Sequence, residues 1–230
     1  MMRACLFVSL TAVAAYPAPA QDLAALCREA AHPPVGSWSE YEFVGGQQNG
    51  AKIRISVVGT EAVGDTSFLW IEMAMDSVGM GPGFGARTSG VIKMLVPNFG
   101  PGMGHPHTAI MKLAGTPAMT LPLGDALAGP DNAASGLSRC EDSKSLGWEN
   151  VIVPAGSFRA LHVQDPDSHS DEWVVPNLPL GLVRAVNDEQ SGGGQMVLVN
   201  HGTGATTSIT EKPVPFDPQL MMQMMGQTSH

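Results

Sequence analysis

The sequence predicts a mainly β protein of the α+β class, a single antiparallel sheet with a short helix near each end. Three observations carry this. From Trp148 to Asn200 the chain is a series of short runs rich in β-branched and aromatic residues: 148–153, 157–163, 172–175, 182–186 and 195–200. Turn formers bound each run, which is the pattern of an antiparallel meander. Lys52 to Val58 alternates strictly, with Ile53, Ile55 and Val57 on one side and Lys52, Arg54 and Ser56 on the other, as a strand with one wet and one dry face does. Glycine (27) and proline (18) are frequent, which favours turns over long helices.

Met1 to Ala20 has the three parts of a secretory signal peptide. Arg3 supplies the positive start, Leu6 to Ala15 the apolar stretch, and Ala18-Pro19-Ala20 the small-residue cleavage site, in a span too short to cross a bilayer. No cysteine follows the apolar run to carry a lipid anchor, and no later segment reaches spanning length. The expected product is residues 21–230 as one domain in the periplasm, with no stable membrane insertion.

Gln21 to Ala31 reads as a short helix, because Leu23, Ala24, Cys27 and Ala31 recur at helical spacing, and His32-Pro33-Pro34 stops it. Trp38 to Val44 is a strand and 45–50 its turn. Ser67 to Met75 is a longer strand: Leu69, Ile71, Met73 and Met75 form one face, while Phe68 and Trp70 make the other partly apolar. A strand apolar on both sides is central or borders a cavity. Val91 to Val96 is a further strand between two glycine-rich loops, 79–85 and 100–104. Thr108 to Leu113 is expected as a helical turn or two, and about 115–138 as a flexible insertion poor in periodicity. In the meander, Val153-Pro154-Ala155-Gly156 suits a tight turn. Ala205 to Thr210 is expected as a last strand. Asp217-Pro218 opens a short apolar helix, with an acid at the N-cap and proline after it.

Composition and motifs exclude several functions. Charged residues make up 14% and the net charge is −9, or −10 once Arg3 leaves with the leader. A sparse acidic surface does not suit nucleic acid or anionic membranes. The glycine loops match neither G-x-G-x-x-G nor a P-loop, so no nucleotide cofactor is expected. There is no H-E-x-x-H and no G-x-S-x-G, and no local grouping of Ser, His and Asp, so no catalytic residues are assigned and no enzyme is expected. The polar tip 165–172 has Ser170 and Pro176 where a calcium loop needs glycine and a carboxylate. His162, inside a strand, is expected to be hydrogen-bonded rather than a ligand. His105 and His107, with methionines such as Met80, Met103 and Met221, could attract copper, but two imidazoles without further fixed ligands do not make a site, so no metal is expected.

After cleavage two cysteines remain, Cys27 and Cys140, an even number in a compartment where disulfides persist. A Cys27–Cys140 bond is expected.

The runs Val153 to Val163 and Trp173 to Arg184 resemble exported bacterial proteins of the LolA/LolB-like half-barrel superfamily, periplasmic proteins that handle lipoproteins. Gly36 to Tyr41 and Trp70-Ile71-Glu72-Met73 share that likeness, which loosens between Gly79 and Leu137. The resemblance implies a half-barrel: one strongly curved antiparallel sheet whose concave face is capped by helices. In the carrier members that face holds acyl chains. None of the carriers' functional residues match positions here.

The leading expectation is therefore a non-catalytic periplasmic carrier or sensor that takes an apolar small molecule, an acyl chain or a lipidated partner in a concave cavity. The expected lining is Ile53, Ile55, Val57, Leu69, Ile71 and Met73, with Trp173 near one rim. The alternative is a structural or interaction module of the cell envelope whose own side chains fill the core.

Overall fold

The computed structural model describes residues 23–30, 32–46, 48–78, 88–97, 106–122, 143–165, 170–187 and 193–219. Helix α1 is Leu23–Ala30, followed by strands β1 Trp38–Val44, β2 Lys52–Val63, β3 Thr66–Val78, β4 Thr88–Val96, β5 Thr108–Leu113 and β6 Met119–Leu121. The second half contains β7 Lys144–Val153, β8 Gly156–Gln164, β9 Asp171–Val174, β10 Leu182–Val186, β11 Gln195–Gly202 and β12 Val214–Pro215.

These strands form one twelve-stranded sheet in the order β12-β6-β5-β4-β3-β2-β1-β11-β10-β9-β8-β7. Two meanders, β1 to β6 and β7 to β11, join where β1 pairs antiparallel with β11. Among the described strands only β12 on β6 is parallel. The sheet is open, neither closed nor strongly curled, which corrects the expected half-barrel. Closure would require β7 to meet β12, and β12 offers two residues, one of them a proline with no N–H to donate.

Two local expectations also change. Thr108 to Leu113 is strand β5, not helix: it pairs with β4 on one side and β6 on the other, so its ladder bonds outweigh the helix preference of Ala109, Met111 and Leu113. Ala205 to Thr210 joins no ladder and bends at Ser208, so the expected last strand is not formed there. Of the expected insertion, Met119–Leu121 forms β6, and Ala118 and Met119 are fully buried. Residues 123–142 lie outside the described residues, as do both glycine loops and the expected C-terminal helix after Gln219. At that helix's start, the Gln219 N–H donates to Asp217 Oδ1 at 2.8 Å.

The main core lies on the side of the sheet that carries Tyr41, Ile55, Ile71, Val96, Ala109, Leu161 and Leu198, and Leu26 of α1 joins it. Helix α1 sits against the loop between β9 and β10. A Cβ on Gly181 (φ +65) would stand 2.7 Å from the Ala30 Cβ, so only glycine permits this approach. Neighbouring Leu180 holds φ +69, a conformation that costs a branched residue about 1 to 3 kcal/mol. Tyr41 holds that loop in place. It is fully buried, and its hydroxyl shares its proton between the carbonyls of Pro179 and Leu182, at 2.9 and 3.0 Å. Burial pushes the phenol's pKa above its ordinary value, so the hydroxyl remains a donor. Tyr41→Phe is expected to cost about 1 to 3 kcal/mol, read as a lower denaturant midpoint at an unchanged slope.

The β7–β8 hairpin exchanges its buried face along its length. Near its base Leu161 and Val163 are buried. Toward the tip Val151, Val153 and Ala160 are buried instead, while Ile152 is 84% exposed. The turn predicted at Pro154-Ala155 is present, with Val153 paired to Gly156. It reaches across to β11, where the Ala155 N–H donates to the Leu198 carbonyl at 3.3 Å.

Candidate functional site

The expected lining residues converge, apart from the tryptophan. β2 and β3 run antiparallel with Ile53 opposite Met75, Ile55 opposite Met73 and Val57 opposite Ile71. A register shift between Val57 and Gly59 then sets Leu69 opposite Thr60. Ile53, Ile55, Val57, Leu69, Ile71 and Met73 all pack in the main core. Its centre is sealed: Ile55 is 1% exposed, and Val57 and Ile71 are 0%. Each such side chain contributes about 1.5 to 3 kcal/mol by leaving water. Ile53, Leu69 and Met73 are half-buried around this centre.

Trp173 packs against the edge of that core but belongs to a polar cluster across β7 to β10. In register, His162 stands opposite Trp173, and Trp173 opposite Arg184. The His162 ring stacks on the indole at 4.5 Å and 16°, and the Arg184 guanidinium stands 5.0 Å from it. His162 Nε2 is 2.9 Å from Asp171 Oδ1, and its Nδ1 is 3.5 Å from Glu149 Oε1. The indole N–H also donates to Glu149 Oε1, and Arg184 Nε donates to Gln195 Oε1 at 3.0 Å. The strand histidine is thus hydrogen-bonded, as its position suggested. That two carboxylates from different strands face its two nitrogens was not readable from local spacing.

β9 also carries an acid on the side opposite this cluster. Glu172 stands between Val163 of β8 and Ala185 of β10. Burial, with a smaller contribution from the charge of Asp165, raises its carboxyl to about 7. Alternation along β9 explains the arrangement: Asp171 and Trp173 point one way, Glu172 and Val174 the other.

A third cluster lies on the outer face of β3 and β4. Glu72 is 5% exposed. It accepts from the Ser208 N–H at 2.9 Å, from Ser208 Oγ at 2.8 Å and from Thr207 Oγ1. Lys93 Nζ is 3.8 Å from it and donates to Thr207 Oγ1 at 2.8 Å. Ile209 packs with Ile110, Ala118, Trp70 and Val91, and Glu211 meets Lys112 at 2.7 Å. The irregular segment 205–211 is therefore a strap tied over this face. The Ser208 N–H is satisfied by the buried acid and the Ala205 N–H by the Gly36 carbonyl at 2.9 Å, so these backbone groups find partners without a strand ladder. The readable signal was an acid within the otherwise apolar run Phe68 to Met75. Its partners, far away in sequence, were not readable.

Among the described residues no three His, Cys, Asp or Glu side chains group as metal ligands. His105 lies outside the described residues. The His107 ring tilts against Phe68 at 5.8 Å, and the His107 backbone N–H donates to the Leu95 carbonyl at 2.7 Å. Cys27 is buried in α1, and Cys140 lies outside the described residues. No described helix is long and apolar enough to cross a membrane.

No family model matches the chain, and no curated protein matches it. Among solved structures, it is similar to a protein assigned as exported, with a YmcC-like fold, from Bacteroides fragilis. The TM-score is 0.38 and the identity 14%, over 74% of this chain and 97% of that one. It is also similar to a protein assigned as a lipoprotein from Parabacteroides distasonis, with TM-score 0.37 and 12% identity over 75% of this chain and 98% of that one. The LolA/LolB-like likeness read from the sequence remains a resemblance.

Proposed function

We propose that the chain is an exported, non-catalytic β-sheet protein of the cell envelope that acts by contact, as a structural or interaction module whose own side chains fill the core. The observation that supports this is the sealing of Ile55, Val57 and Ile71. These are the positions at which a carrier would expose its lining to an acyl chain. The signal-peptide pattern of Met1 to Ala20 supports export to the periplasm.

One observation favours the carrier or sensor reading as second: Ile53, Leu69 and Met73 remain half-buried around the same centre. An acyl chain lying along them would gain about 0.8 kcal/mol per buried methylene. A titration of a fluorescent fatty acid into the delipidated mature protein separates the two. The module predicts no saturable binding. Saturable binding that Leu69→Glu or Met73→Glu weakens would establish the carrier instead.

A further inference from the structure

Both faces of β9 carry proton-binding groups, and this strand is four residues long, the shortest strand with a neighbour on each side in the second meander. We propose that the end of the sheet formed by β7, β8 and β9 is a proton-controlled element, locked in mild acid and loosened as pH rises toward neutrality, with Glu172 on one face of β9 and the paired carboxylates around His162 on the other.

On one face the groups around His162 are Glu149 of β7, Asp171 and Trp173 of β9, and Gln164 on its own strand, with the Arg184 guanidinium of β10 by Trp173. Protonated imidazole donates from both nitrogens and so serves Asp171 and Glu149 together, tying β7, β8 and β9. Neutral imidazole has one donor and one lone pair. One of the two carboxylates then faces an acceptor and is repelled. Histidine changes charge in the range about pH 5 to 8.

On the other face Glu172 stands among Val163 and Ala185, beside Asp165. As a neutral acid it is tolerated there. Ionised, it places a second negative charge next to Asp165 in apolar surroundings, which both desolvation and like charge oppose. The sign follows from proton linkage. Glu172's carboxyl in the folded protein is raised from 4.5 to about 7, so between those values the folded state holds a proton that the unfolded state has released. Stability therefore falls as pH rises through that window and is fullest below it. Ionisation of Glu172 adds negative charge to a strand that already carries Asp171 on its other face, and the short ladder of this strand opposes that with few hydrogen bonds.

Amide hydrogen exchange on the mature protein tests this, with rates corrected for intrinsic pH dependence. The readout is the protection of β8 and β9 amides relative to those of Ile55 and Ile71 in β2 and β3. From about pH 5.5 to about pH 8 this ratio is expected to fall by about tenfold or more, each tenfold corresponding to about 1.4 kcal/mol. Glu172→Gln keeps the shape of the neutral acid, so it should fold and should remove part of the fall. Adding His162→Gln should remove the rest. A wild-type ratio that does not change with pH, or an unchanged fall in the double variant, would overturn the proposal.

Discussion

Ile55→Ala is expected to lower the stability of the mature protein by about 2 to 5 kcal/mol, measured as a shift in denaturant midpoint at constant slope. Ile55 is 1% exposed and pairs across the ladder with Met73 on β3 and Ser39 on β1. It lies in one core with Tyr41, Val57, Ile71 and Leu198. Removing its outer carbons leaves a void that strands fixed on both sides cannot collapse to fill, so the cavity adds to the lost transfer energy. A cavity-lining residue would behave differently, since its side chain already borders open space. A loss below about 1 kcal/mol would be out of line with a filled core and would move the reading toward the carrier.

The second large effect concerns Cys27. Leu26, Cys27 and Ala30 form the buried side of α1, so the sulfur is directed into the protein. A bond to Cys140 would close a loop on the order of a hundred residues, and in the chain-entropy model such a loop contributes about 4 to 5 kcal/mol. Reduction, or Cys27→Ser, is accordingly expected to lower stability by that order and to release α1 from the Gly181 loop. Thiol titration of the unreduced, unfolded protein checks the premise. No reactive thiol is expected, and two per chain would show that the pairing does not form.

Much of the fold was readable because the ladder repeats a local pattern. Trp38–Val44 and Leu182–Val186 have the boundaries that alternation and flanking turn residues suggested. The meander after Trp148 has the predicted consecutive antiparallel order. What was not readable depends on partners distant in the chain. Thr108 to Leu113 contains good helix formers and becomes a strand only because β4 and β6 flank it. Ala205 to Thr210 looks like a strand, but its polar groups are drawn to Glu72 across the outer face. The half-barrel expectation came from resemblance, and the two-residue β12 with its proline leaves the sheet open.

The same division holds for the sites. The dry set on β2 and β3 followed from period-two alternation, and the structure gathers it on one side. Whether such a set lines a space or fills one is decided by what covers it, and alternation carries no information about that. The His162 cluster is assembled from β7, β8, β9 and β10, and Glu172 gains its raised carboxyl from burial between neighbouring strands. Neither has a spacing in the sequence that could have announced it.

A core filled by the protein's own side chains needs no bound apolar ligand. Native mass spectrometry of the chain purified from its own cell compartment, without delipidation, tests that most directly. The mass of the cleaved polypeptide alone is expected. A stoichiometric apolar adduct that is lost on delipidation would contradict it.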